Sequence, residues 1–99
     1  MSKKITVGER EFTLFPCPKI GLSAMGNNFR ELGAYSEVGL EMLVLGIYYG
    51  VKRGALNDES ITREFFEWNI DAINMPQLIK DFVEVNGLNA AAEAAAGEA

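Results

Sequence analysis

Apolar and polar positions alternate through the opening segment KKITVGEREFTLF, and the period lengthens beyond it. Ile5 and Val7, then Phe12 and Leu14, recur at the strand spacing of two. A two-residue loop at Gly8-Glu9 pairs Val7 with Arg10 and Ile5 with Phe12, which gathers the four apolar side chains on one face. A three-residue loop splits that set. Glycine at the first loop position predicts a type II′ turn. The hairpin covers residues 3–15, and two strands alone are barely stable in water. Other elements must therefore cover its apolar face.

The two prolines of PCPKIG keep the chain extended, and the period then becomes helical. Leu22, Met25, Phe29 and Leu32 form the seam of a first helix over about residues 19–32, ended by Gly33. Ser36 caps a second helix over 36–53, with Glu37 and Glu41 near its positive end and Lys52 and Arg53 near its negative end. Its segment LVLGIYYGVKRG places Gly46, Gly50 and Gly54 four residues apart. At about 100° per residue, Gly39, Gly46 and Gly50 fall within about 40° of one another, opposite Glu37, Glu41, Tyr48 and Lys52. Bare backbone on that face predicts close packing, against a neighbouring element of the same chain or against a second subunit. The uninterrupted apolar and glycine run covers only Met42 to Val51, with charges on both sides. A bilayer span needs about 20 apolar residues, so no membrane helix is expected.

Thr62 caps a third helix over 62–73. Phe65, Phe66, Ile70 and Ile73 are assigned to its buried side and Glu64, Glu67 and Asp71 to an acidic side, with Trp68 at the border between Glu64 and Ala72. A fourth helix over 75–86 starts around Pro76, carries Leu78, Ile79, Phe82 and Val83 as its stripe, and stops at Asn86-Gly87. Residues 88–99 are alanine-rich with little to bury, and a flexible tail is expected. The fold class is thus α+β and mostly helical: an N-terminal hairpin, about four helices, and one small domain over residues 1–87.

Composition narrows the function. Residues of the apolar class make up 48% of the chain and charged ones 23%, an ordinary globular balance. The net charge of −5 disfavours a nucleic-acid-binding surface. Charge is also uneven. Residues 1–30 hold five basic and two acidic side chains, and the rest holds four basic and twelve acidic ones. Such asymmetry fits head-to-tail self-association or an acidic docking face, but is more often only a solvated acidic surface.

Little points to catalysis. With no histidine, the commonest general base and metal ligand are missing. Cys17 stands alone between two prolines, so no internal disulfide forms and a reducing compartment fits. Glu64, Glu67 and Asp71, at i, i+3 and i+7, have the spacing to share a divalent ion, but such a row is far more often a solvated helix face. The glycines lie inside helices rather than at a strand-to-helix turn, which rules out a phosphate-cradling loop. No secretory leader is expected, because the start MSKK leads into an alternating segment. No enzyme activity and no cofactor are expected.

The order of elements, from KKITVGEREFTL through the long apolar helix to LNDESITREFFEWNID and a last amphipathic helix, resembles the tail assembly chaperones of long-tailed bacteriophages. The resemblance covers residues 3 to about 88: ITVGEREF looks like the family's opening hairpin, and SITREFFEWNIDA like its Ser/Thr-started third helix with acidic and aromatic residues. The glycine-rich second helix departs from the family pattern. The resemblance implies a non-enzymatic protein of the host cytoplasm, absent from the mature virion. It would coat the helical, aggregation-prone tape measure protein until tail tube protein subunits polymerise around it. In many members a frameshifted longer form recruits the tube subunits, and AAAEAAAGEA would then be the unshifted ending.

An exposed apolar surface serves such a task, and net charge keeps the complex soluble. The candidate partner-binding residues are Trp68, Phe65, Glu64 and Asp71, with Gly39, Gly46 and Gly50 as the close-packing or oligomer face. Two other classes compete with this reading: a structural tail or head–tail connector subunit, and a small bacterial interaction or regulatory protein.

Overall fold

The computed structural model describes residues 1–88. The expected alanine-rich tail lies outside the described residues apart from Leu88, which packs against the core. Strands β1 (Lys3–Val7) and β2 (Arg10–Leu14) form the antiparallel hairpin, with Ile5 opposite Phe12 and Val7 opposite Arg10. Ile5, Val7, Phe12 and Leu14 are all buried, as the alternation requires.

The turn is not type II′. Gly8 and Glu9 both have positive φ, 57° and 66°, which is the type I′ combination. The glycine serves a second purpose here: a Cβ at Gly8 would run into the side-chain amide of Asn69. Glycine therefore stands first because Asn69 packs over it, and Glu9 takes the left-handed position.

Helix α1 (Lys19–Met25) gives way to a 3₁₀ segment (Gly26–Glu31), where a single helix over 19–32 was expected. Gly26 has φ 58° and ψ −140°, a conformation open to glycine and costly for residues with a Cβ. The break changes the phase. Met25 stays buried and Phe29 and Leu32 still pack on the core, but Leu22 turns outward and Gly21 takes its place inside. A Cβ at Gly21 would press on Cys17 Sγ and Tyr49 Cβ.

Helix α2 (Glu37–Arg53) is the hub: α1, the 3₁₀ segment, β2, α3 and α4 all pack against it. The Gly39 amide donates to Ser36 Oγ at 3.0 Å, the N-cap the sequence implies. The glycine face is filled by the chain itself, with a different neighbour at each position. A Cβ on Gly39 would meet the Ala34 carbonyl oxygen, one on Gly46 would stand 2.6 Å from Phe82 Cε2, and one on Gly50 would stand 2.7 Å from the Phe15 carbonyl oxygen. The Phe15 amide also donates to the Gly50 carbonyl at 3.1 Å, so the chain leaving β2 lies directly on the helix backbone. No room is left on this face for a second subunit.

Helix α3 is short, Arg63–Asn69, and ends well before residue 73. Its cap forms as expected, the Phe65 amide donating to Thr62 Oγ1 at 3.1 Å. A web of Asn and Asp side chains then competes with the helix for its backbone groups. Asn69 Nδ2 donates to the Phe65 carbonyl, Asn74 Nδ2 donates to the Asn69 carbonyl, and Asp71 Oδ1 accepts from the amides of Ile73 and Asn74. Phe66 is fully buried and Phe65 and Ile70 are half-buried, but Ile73, assigned to the core by helical phase, is 90% exposed. The helix ends before it can carry Ile73 inward.

Helix α4 (Met75–Val85) lies on β1 and α2 and buries Met75, Leu78, Phe82 and Val85. Ile79 and Val83 flank that stripe at half burial. The apolar pattern did not show Asp81, which is buried among them. Lys3 Nζ donates to Asp81 Oδ1 at 2.8 Å and to Glu84 Oε2 at 2.9 Å, and Gln77 Nε2 donates to Asp81 Oδ1 at 3.0 Å. This pair ties the first strand to the last helix. The signal lay in the spacing: Asp81 is three residues after Leu78 and four before Val85, on the core side of the helix.

Candidate functional site

The four residues nominated for partner binding have different fates. Phe65 is half-buried and packs against the core. Its ring centroid lies 5.6 Å from Phe12 and 5.4 Å from Phe66, both edge-on, and the Arg10 guanidinium lies 5.9 Å from its centre. Asp71 organises the turn into α4 through the hydrogen bonds given above. Glu64 is exposed in the first turn of α3, where a carboxylate favours the helix start. Trp68 is 81% exposed.

Tyr35, Leu56 and Ile20 are also largely in water, but Trp68 has the largest apolar body among them. Burying an aromatic side chain is among the larger single contributions to folding, and most tryptophans are largely covered. The core forms without it: Phe66, Phe82, Leu14 and Met25 are fully enclosed, and among the described residues no buried side-chain nitrogen or oxygen lacks a partner. Trp68 sits at the end of α3 and Ile73 in the turn that follows, so two large apolar side chains face water along one short stretch of chain.

A groove runs between α2 and α3, lined by Glu37, Leu40, Glu41 and Val44 from α2, Arg63 and Glu67 from α3, and Ile70 just beyond it. The spacing explains the lining. Residues 37, 40, 41 and 44 recur at i, i+3, i+4 and i+7 on one side of α2, and Arg63 and Glu67 at i and i+4 on one side of α3, with Ile70 following at its C-cap. The Arg63 guanidinium bridges the two helices, donating to Glu41 Oε1 at 2.7 Å and to Glu67 Oε1 at 3.0 Å. Leu40 is 39% exposed at the groove and Val44 is buried at its base. Sequence reasoning placed Glu41 and Glu67 on charged faces but had no signal that one arginine joins them across 22 residues of chain.

Cys17, the single cysteine, lies away from this groove. Cys17 is buried, and burial pushes its thiol up to about 11, with the nearby Arg53 charge opposing the shift. At neutral pH it stays protonated and is a poor nucleophile. Its amide donates to Asn86 Oδ1 at 2.8 Å, which makes this segment a strap between the hairpin and the end of α4. Among the described residues, no three His, Cys, Asp or Glu side chains are grouped to hold a metal ion. Glu67 is instead paired with Arg63, and Asp71 with backbone amides. No helix of the described residues is long and apolar enough to cross a membrane.

No protein-family model matches the chain, and no curated protein or solved structure matches it either.

Proposed function

We propose that this protein is a bacteriophage tail assembly chaperone that binds the tape measure protein by non-covalent contact, without catalysis. The observation that carries the reading is the exposure of Trp68 and Ile73, five residues apart in the chain and both outside the buried core. A folded acidic chain that leaves large apolar side chains in water has a surface suited to another protein's apolar residues, and indole is enriched among groups that dominate binding energy. The order of hairpin, short helix, long helix and two further helices is the one the resemblance requires. In this reading the protein works in the host cytoplasm, helps recruit tail tube subunits and is absent from the finished virion. Any self-association uses a surface other than the glycine face.

Co-expression with the tape measure protein tests the proposal. The wild-type chain keeps that partner soluble, and Trp68→Ala, which folds normally, leaves it in the pellet. A wild-type chain that fails to solubilise it overturns the reading. Mass spectrometry of purified virions separates a chaperone from a connector: detection of this chain at structural copy number contradicts the proposal.

A further inference from the structure

We infer that the groove between α2 and α3 is a docking site for a short amphipathic helix of another protein, one that carries lysine or arginine beside its apolar stripe. The inference rests on the chaperone reading only in taking the partner segment to be helical. Its chemistry comes from the groove.

The floor is apolar and the rim is acidic. Leu40, Val44 and Ile70 supply the floor, and Glu37, Glu41 and Glu67 surround it with Arg63 as the one cation. Arg63 is committed to both Glu41 across the groove and Glu67 on its own helix, so it neutralises only part of the rim. Glu37 is exposed and makes no ion pair among the described residues. Three carboxylates against one guanidinium leave a net negative rim. An acidic segment is repelled there, and a purely apolar one leaves the Glu37 charge unanswered.

Length sets how much of such a helix the groove covers. From Glu37 to Val44 the α2 side of the groove spans seven residue steps, or about 10 Å along the axis. About two turns of a partner helix fit that distance, with apolar side chains at i, i+3 or i+4, and i+7 on Leu40, Val44 and Ile70. A lysine or arginine one turn away then reaches Glu37. Such a partner brings its own positive charge to an apolar stripe, and the groove covers both at once.

The test uses the full chain, isotopically labelled for amide NMR, and two synthetic helical peptides of about 15 residues, near the length at which isolated helices become stable. Both carry the same leucine stripe; one is flanked by lysines and the other by glutamates. The lysine peptide is expected to move the amides around Leu40, Val44, Arg63 and Ile70 in a saturable way, and to bind at least about tenfold more tightly than the glutamate peptide. Glu37→Lys, a surface change that leaves the fold intact, is expected to weaken the lysine peptide about tenfold and to strengthen the glutamate peptide. Leu40→Asp removes binding of both.

Equal affinity for the two peptides, or shifts confined to other surfaces, overturns the inference. So do concentration-dependent shifts at these residues without peptide, which show a second copy of the chain in the groove. The two proposals fail separately. A chain that solubilises the tape measure protein but ignores the lysine peptide keeps the chaperone reading and loses this groove. A chain that binds the peptide here but fails in co-expression keeps the groove and loses the partner.

Discussion

A methyl group placed on Gly46 would stand 2.6 Å from Cε2 of Phe82, a ring with no exposed surface. The ring belongs to α4 and the glycine to α2, so this contact sets how closely the two helices approach. Phe82 cannot swing out, because Phe29 lies against it at 6.3 Å between centroids and the core closes the other side.

Gly46→Ala is therefore expected to overpack the interface and to cost about 1–3 kcal/mol. In a domain of this size that lowers the melting temperature by about 4–8 °C per kcal/mol. Phe82→Leu in the same chain should recover part of the loss, since the smaller side chain vacates the space. A double-mutant cycle is expected to show coupling above about 0.5 kcal/mol, and additive losses would contradict the packing argument.

The hairpin turn gives a change in the opposite direction. Glu9 holds φ 66°, a region that costs most residues about 1–2 kcal/mol, and Glu9→Gly relieves it. After the extra backbone freedom of glycine in the unfolded chain is subtracted, a gain of about 0.5–1 kcal/mol is expected in urea denaturation. Gly8→Ala lowers stability instead, because its new Cβ runs into Asn69.

Lys3 and Lys4 are adjacent in sequence but differ in value to the fold. Lys3 reaches the buried Asp81, whereas the Lys4 to Glu11 pair is 3.6 Å apart with both side chains mostly in water. Lys3→Met is expected to lower the melting temperature clearly and Lys4→Met hardly at all. Hydrogen bonds to Asp81 and then Glu84 raise the Lys3 ammonium above its ordinary value of 10.5. A raised cation pKa stabilises the fold below the unfolded value and loses that contribution as pH rises past it. The gap between wild type and Lys3→Met should thus be full at neutral pH and shrink above about pH 10.5.

Much of the architecture was legible in local pattern. The strand register followed from period two, and the caps at Ser36 and Thr62 from residue type followed by a helical period. The glycine face of α2 followed from angular spacing. What escaped depended on contacts between distant residues or on competition for backbone groups. Nothing in the seam of Leu22, Met25, Phe29 and Leu32 shows that Gly26 will take a conformation that breaks it. Nothing in the phase of Ile70 and Ile73 shows that Asn69, Asp71 and Asn74 will capture the backbone first. The candidate surface divides the same way. The helical phase puts Trp68 at the border of α3's apolar side, and the structure leaves it 81% exposed because the helix ends one residue later. The groove required Arg63 to meet Glu41 across the fold.

Cys17 offers a probe of native packing. Its buried thiol, raised to about 11 from 9.0, should react slowly with iodoacetamide at pH 8 and quickly once urea unfolds the chain. Because the folded state holds this proton more tightly, stability falls as pH rises through the window from 9 to about 11. A native thiol as reactive as the unfolded one would show that the strap from Phe15 to Pro18 is open in solution.

The most direct measurement is the fluorescence of Trp68, the only tryptophan in the chain. In the free protein its emission should lie close to that of tryptophan in water, and Trp68→Ala should change stability by less than about 0.5 kcal/mol, as for other surface sites. Adding soluble fragments of the tape measure protein should shift the emission to the blue and shield the indole from acrylamide quenching. A complex that forms while the emission and quenching of Trp68 stay unchanged would contradict the account.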